Sequence, residues 1–105
     1  MGRLRKLKIG DRTYRVRYRE LAHIYGQIGL GYGFLDLADD LNEEEGVYTI
    51  IHEVLHGIWA YRQLPPRPRE ERVVTEFAWG LMAVFRDNPG LLNHMESLLA
   101  ESRGI

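Results

Sequence analysis

His52-Glu53-Val54-Leu55-His56 is an H-E-x-x-H pentapeptide set in an apolar stretch, with an acidic cluster before it and prolines after it. A spacing of four nearly matches the helical period, so on a helix both imidazoles leave one face and can share a metal ion. Asp39, Asp40 and Asn42, followed by Glu43, Glu44 and Glu45, provide the helix start. The acidic side chains complement exposed amides and the helix dipole, and Asn42 with Glu45 approximates a capping box. Pro65-Pro66-Arg67-Pro68 provides the stop. These signals predict one helix from about Glu43 to Tyr61.

Before that helix, Leu7-Lys8-Ile9 and Tyr14-Arg15-Val16-Arg17-Tyr18 alternate apolar and basic residues around Gly10-Asp11. The alternation predicts a β-hairpin with one buried face and one Arg/Lys face. Glu20 to Tyr25 reads as a short helical turn or a connection. Gly26, Gly29, Gly31 and Gly33 then interleave with Ile28, Leu30, Tyr32 and Phe34. A phosphate-binding loop would lead into a helix, whereas Phe34-Leu35-Asp36-Leu37 looks like a strand, so the glycines shape a second hairpin. Glycine in a strand also permits close approach of another backbone, including an extended peptide along the edge.

After the prolines, Pro68, Glu70 and Glu71 suit the first turn of a second helix. Val74, Phe77, Ala78, Leu81 and Phe85 recur along it at helical spacing to about Arg86. Asp87-Asn88-Pro89 breaks the pattern. A third helix, near Pro89 to Glu101, is expected to bury Leu92, Met95, Leu98 and Leu99. The predicted fold class is α+β: a short N-terminal antiparallel sheet packed on the HExxH helix, a following glutamate-bearing helix and a C-terminal helix.

The 105 residues form a single domain, 1–105, with one modest core. Hydrophobic residues at 45% and charged residues at 28% match an ordinary soluble globular protein. The absence of cysteine removes disulfides and thiolate sites, so any zinc site must use His, Glu or Asp. A net charge of −1 gives no global field toward nucleic acid or an anionic membrane. The basic run accordingly reads as a solvated strand face rather than a nucleic-acid patch, and neither nucleic acid nor a membrane is expected as a partner. A nucleic-acid binder using Arg3 to Arg19 is a third reading, which salt-sensitive DNA affinity would revive. Ile9-Gly10-Asp11-Arg12 interrupts the apolar run a signal peptide would need, and no stretch approaches ~18 apolar residues. A cytoplasmic location is expected.

A catalytic zinc ion takes three protein ligands and keeps a position for water. His52 and His56 supply two. Glu70, Glu71 and Glu76 compete for the third, because a helix joined by a short turn passes back along the metal face. Glu71 is favoured: it lies one turn before Val74 and two before Ala78, with Thr75 at i+4 to steady a ligating carboxylate. Glu76 falls nearer Arg72 and Gly80, on the outer flank. Ile50, Ile51, Val54, Leu55 and Ile58 surround the pentapeptide, predicting a largely buried helix. Burying two histidines and Glu53 without partners is costly, and a metal ion removes that cost. Glu53 is placed to take a proton from a metal-bound water. His23 and His94 read as surface or edge histidines, and Trp59 and Trp79 as core or core-edge packing. An oxyanion donor from His94, Tyr25, Tyr32 or Tyr61 is left unassigned.

On His52 to His56, with Glu70-Glu71-Arg72-Val73-Val74 and Phe77-Ala78, the chain resembles small single-domain HExxH zinc metallopeptidases of gluzincin type. Minigluzincin-like, ImmA/IrrE-like and short phage-encoded proteins share the pattern. Tyr25-Gly26-Gln27-Ile28 before the metal helix and Arg86-Asp87-Asn88-Pro89 after it extend the resemblance over roughly residues 7 to 100. ImmA/IrrE-type chains carry Glu-Ala-Asn before their Phe-Ala, where this one has Val73-Val74-Thr75-Glu76. The resemblance implies a short twisted sheet above the metal helix and a zinc-dependent peptidase acting on a peptide or protein substrate. It also implies His52, His56 and Glu71 as Zn2+ ligands and Glu53 as the catalytic base. Members of this kind can be latent, with a terminal segment over the cleft, a part the helix from Pro89 would play. A non-catalytic zinc-stabilised module that binds a partner is the alternative function.

Overall fold

The alternating residues near the N-terminus form strands β1 (Lys6–Ile9) and β2 (Arg12–Arg19). They pair antiparallel, with Leu7 opposite Tyr14 and Ile9 opposite Arg12. The computed structural model from which this architecture is read describes residues 3–65 and 68–104. Pro66 and Arg67, in the middle of the proline-rich connection, lie outside the described residues. Glu20 to Tyr25 is a connection without helix. The glycine-rich segment forms the second hairpin, β3 (Gly26–Gly29) and β4 (Phe34–Ala38), with Gly29 opposite Phe34.

The four strands make one sheet in the order β1-β2-β4-β3. Each hairpin is antiparallel as predicted, but β2 and β4 run parallel, Val16 beside Leu35 and Tyr18 beside Leu37. The sheet is therefore mixed rather than wholly antiparallel. The chain leaves β2, crosses to the outer edge to form β3, and returns as β4 between them. That route gives the central position to Leu35 and Leu37, which have 0% and 3% exposure, and leaves the glycine-rich strand at the edge.

Ile9, Tyr14, Val16, Leu35 and Leu37 form the core on one face of the sheet, with Ile50 and Val54 packed against it. The last two come from helix α1 (Glu43–Tyr61), whose bounds match the prediction. Its capping box is closed: Glu45 N–H donates to Asn42 Oδ1 at 2.8 Å, and Asn42 N–H donates to Glu45 Oε1 at 3.0 Å. Two glycines let helix and sheet approach closely. A Cβ on Gly57 would stand 2.5 Å from Ile9 Cδ1, and one on Gly26 would stand 2.7 Å from Thr49 Cγ2 and 2.8 Å from the Asp36 carbonyl oxygen.

Helix α2 (Glu70–Asp87) runs back along α1: Glu71 meets His52 and His56 at one end, and Arg86 lies 3.7 Å from Glu44 at the other. It buries Val74, Ala78 and Met82. Phe77, predicted to face inward, is 61% exposed, because the four-residue stripe through Val74, Ala78 and Met82 makes the contact and Phe77 is rotated about 100° from Ala78. Helix α3 (Leu91–Ser102) departs further from expectation. It buries no residue, and Leu92, Met95, Leu98 and Leu99 are all exposed. Helical spacing shows an apolar stripe but not its partner, and here α1 and the sheet already cover each other. Among the described residues no helix is long and apolar enough to cross a membrane.

Candidate metal centre

The face of α1 turned most deeply inward is polar. Its buried residues are Thr49, His52, Glu53 and Gly57, while the aliphatic residues expected to enclose the motif are only partly buried and Ile58 is exposed. The sheet therefore presses on the motif itself. His52 and His56, one turn apart, have ring centroids 4.8 Å apart at 71°.

Glu71, in the first turn of α2, spans both rings. Its Oε1 lies 2.8 Å from His52 Nε2 and its Oε2 lies 2.8 Å from His56 Nε2. One donor atom from each of His52, His56 and Glu71 falls within 4.8 Å of the others, in reach of a single cation. Of the three glutamates left open by the sequence, the structure brings Glu71 to this position. Glu76 is exposed on the far flank of α2. Glu70 approaches the opposite edge of His56, with Oε2 2.7 Å from Nδ1. Thr75 Oγ1 lies 3.3 Å from His52 Nε2 and donates to Glu71 Oε1 at 3.4 Å, the steadying contact expected of it.

The charge of this group can be balanced by protons on the imidazoles or by a bound cation. Glu53, Glu70 and Glu71 converge on two imidazoles, so while the rings are neutral, the form that ligates metal, the group carries excess negative charge. Glu53 is 6% exposed, and burial pushes its carboxyl up; the neighbouring His52, with Nδ1 3.1 Å from Glu53 Oε2, offsets this only in part. For Glu71, burial would raise the carboxyl, but hydrogen bonds and charge from His52 and His56 outweigh it and hold the group low. For His56, burial would lower the ring, but Glu70 and Glu71 outweigh it and raise the ring. The donor set, two imidazoles and one carboxylate without thiolate, fits a divalent transition-metal ion.

A cleft of about 550 Å³ opens over this group, with Gly26, Gln27, Ile28 and Leu30 on one wall and Trp59, Ala60, Leu64 and Glu70 on the other. β3 is an edge strand, so the cleft runs along a sheet edge with backbone groups free to pair. None of the described residues lining the cleft comes from α3.

Beside the His52/His56/Glu71 group stands an aromatic cluster. Tyr48 stacks on Trp79 at 4.0 Å and 17°, tilts against His52 at 5.4 Å, and meets Tyr25 edge-on at 6.3 Å. Tyr48 precedes His52 by four residues and Trp79 follows Thr75 by four, so helical spacing puts both on the faces that carry the His52/His56/Glu71 group. Trp79, at 39% exposure, packs at the edge of the core as expected and also borders a hollow beside His52, Glu53 and Glu71. Trp59 donates from Nε1 to the Pro65 carbonyl at 3.3 Å and borders the cleft. Of the residues left open as oxyanion donors, Tyr25 stands at the border of the site but donates its hydroxyl to Glu45 at 3.0 Å. Tyr32 and Tyr61 do not line the cleft, His94 is exposed on α3, and His23 lies beside Tyr25 with left-handed backbone, φ 66°.

Comparison of the chain with protein-family models, with curated proteins and with solved structures returned no match.

Proposed function

We propose that this protein is a zinc-dependent peptidase that hydrolyses a peptide bond held between the β3 edge and the His52/His56/Glu71 group. The observation that carries the reading is the convergence of those three side chains from two helices on the floor of an open cleft, with buried Glu53 beside them. Zinc bound there would supply a Lewis acid for the scissile carbonyl and an acidified water. Glu53, raised by burial, is the base that accepts the water proton and then delivers it to the departing amine. Glu70 and Thr75 orient His56, His52 and Glu71 through the contacts described above. Residues 26–28 offer an extended peptide a strand to pair with, which places its backbone across the metal group.

Glu53→Gln preserves the shape of the site and removes the base. The variant is expected to bind zinc as the wild type does and to cleave fluorescently labelled casein at least about 100-fold more slowly. Wild-type rates in that variant would refute the reading. Wild-type zinc binding without cleavage of any peptide library would point instead to a zinc-stabilised binding module.

A further inference from the structure

The net charge of −1 conceals a sharp partition. Residues 3–19 hold eight of the chain's 14 Lys and Arg but only one, Asp11, of its 15 acidic residues. The strand register decides where those cations go. Lys6 pairs with Arg15, which pairs with Phe34; Arg17 pairs with Asp36, which pairs with Gln27. Paired residues share a face, so Lys6, Lys8, Arg15, Arg17 and Arg19 stand together on the side of the sheet opposite the core. α1 lies against the other side, where Gly57 meets Ile9 and Ile28.

One carboxylate sits within this basic face, and it organises the face rather than cancelling it. Asp36 is 2% exposed and accepts from Arg17 Nε at 2.6 Å, Arg17 Nη2 at 3.1 Å and Gln27 Nε2 at 3.0 Å. That grip lays the Arg17 guanidinium over the Phe34 ring, 3.8 Å from its centroid. Lys6, Lys8 and Arg15 are left exposed and Arg19 reaches Asp36 only at 3.7 Å. Tyr32, 82% exposed, joins Phe34 and Arg17 around a hollow at the end of the cation rows.

We propose that this sheet face is a binding surface for single-stranded nucleic acid. Rows of cations track a phosphate backbone, and the exposed Tyr32 ring, beside the Arg17 guanidinium stacked on Phe34, gives unpaired bases a surface to stack on. A duplex offers no bases to that ring. An anionic membrane would call for a cluster of exposed aliphatic side chains among the cations. Of the aliphatics within residues 3–19 only Leu4 is exposed, at 37%, and the most exposed aliphatics, Leu92, Leu98 and Leu99, belong to α3.

The test is fluorescence anisotropy of a fluorescein-labelled oligothymidylate titrated with the full chain over a series of NaCl concentrations. Four phosphate contacts predict a slope of log affinity against log salt of about −3. The combined substitution Lys6→Glu, Lys8→Glu, Arg15→Glu, shown to be folded by circular dichroism, should weaken low-salt binding at least about 100-fold and flatten the slope to about −1 or less. Tyr32→Ala should weaken oligothymidylate binding about fivefold or more without affecting a duplex of equal length. Absence of salt-dependent binding, wild-type affinity in the folded triple variant, tighter binding of the duplex, or binding only to phosphatidylserine vesicles would each overturn the proposal. The metal centre plays no part in this experiment, so its outcome stands apart from that of the peptidase assay.

Discussion

Glu70 Oε2 lies 2.7 Å from His56 Nδ1, on the ring edge opposite the Nε2 that faces Glu71. Two consecutive glutamates thus serve one imidazole from two sides. Successive helical residues point about 100° apart, which lets Glu71 reach the Nε2 edge of the ring while Glu70 reaches its Nδ1 edge.

This relationship separates two roles by their effect on metal affinity. On the proposed ligand set, Glu71→Ala removes a ligand and should abolish tight zinc binding. Glu70→Ala leaves all three ligands but frees the His56 ring, and should weaken zinc binding about 10–100-fold. Competition with a chromophoric chelator measures both. Equal losses in the two variants would mean that Glu70 is itself a ligand.

Acidity should act on the metal-free and metal-bound protein in different directions. His56 is raised, so its stabilising pairing is present below the ordinary histidine value and lost as pH rises through the raised one. Glu71 is held low, so its contribution is present above the ordinary glutamate value and lost as pH falls through the lowered one. The metal-free cluster is therefore most stabilising in the weakly acidic range between those ordinary values. Zinc competes with protons for the rings, so the rise in Tm on adding zinc should be larger at about pH 8 than at about pH 5. An equal rise at both would place the metal away from His52 and His56.

Much of this arrangement can be read from the sequence. The capping box at Asn42 and Glu45 fixes the start of α1, and the pentapeptide's spacing fixes the shared face of its histidines. Glu71 follows from its place on the stripe through Val74 and Ala78. What escapes is non-local. Nothing in the alternation of β2 and β4 states that they pair side by side in parallel, since that depends on where β3 crosses. The exposure of Leu92 and Leu98 depends on the absence of a partner face, which no periodicity records. The role of Glu70 needed the position of the His56 ring, and that of Tyr48 needed Trp79 from the other helix.

The contact between β3 and α1 supports the cleft wall. Gly26→Ala would drive a Cβ into the Asp36 carbonyl oxygen and the Thr49 methyl group, a backbone on one side and a fully buried side chain on the other. A loss of about 1–3 kcal/mol is expected, read as a drop in Tm of several degrees. An unchanged Tm would show that β3 can move away from the helix freely.

Asp36 holds the outer face of the sheet. Its hydrogen bond to Arg17 keeps the carboxyl low against the opposing effect of burial. Its contribution is therefore present above the ordinary aspartate value and lost as pH falls through the lowered one. Asp36→Asn leaves Arg17 without its charged partner. Arg17 is 35% exposed at the side chain and can turn to water, so the cost should stay near about 1–2 kcal/mol in a urea titration at neutral pH. No loss of stability would mean that the pairing only orients Arg17.

The central claim is tested most directly by the zinc content of the purified chain, measured by plasma mass spectrometry beside His52→Ala, His56→Ala and Glu71→Ala. About one zinc ion per chain in the wild type, and loss of it in each variant, is the result the ligand set predicts. A wild-type chain that takes up no zinc after incubation, or a folded Glu71→Ala chain that keeps its full complement, would contradict it.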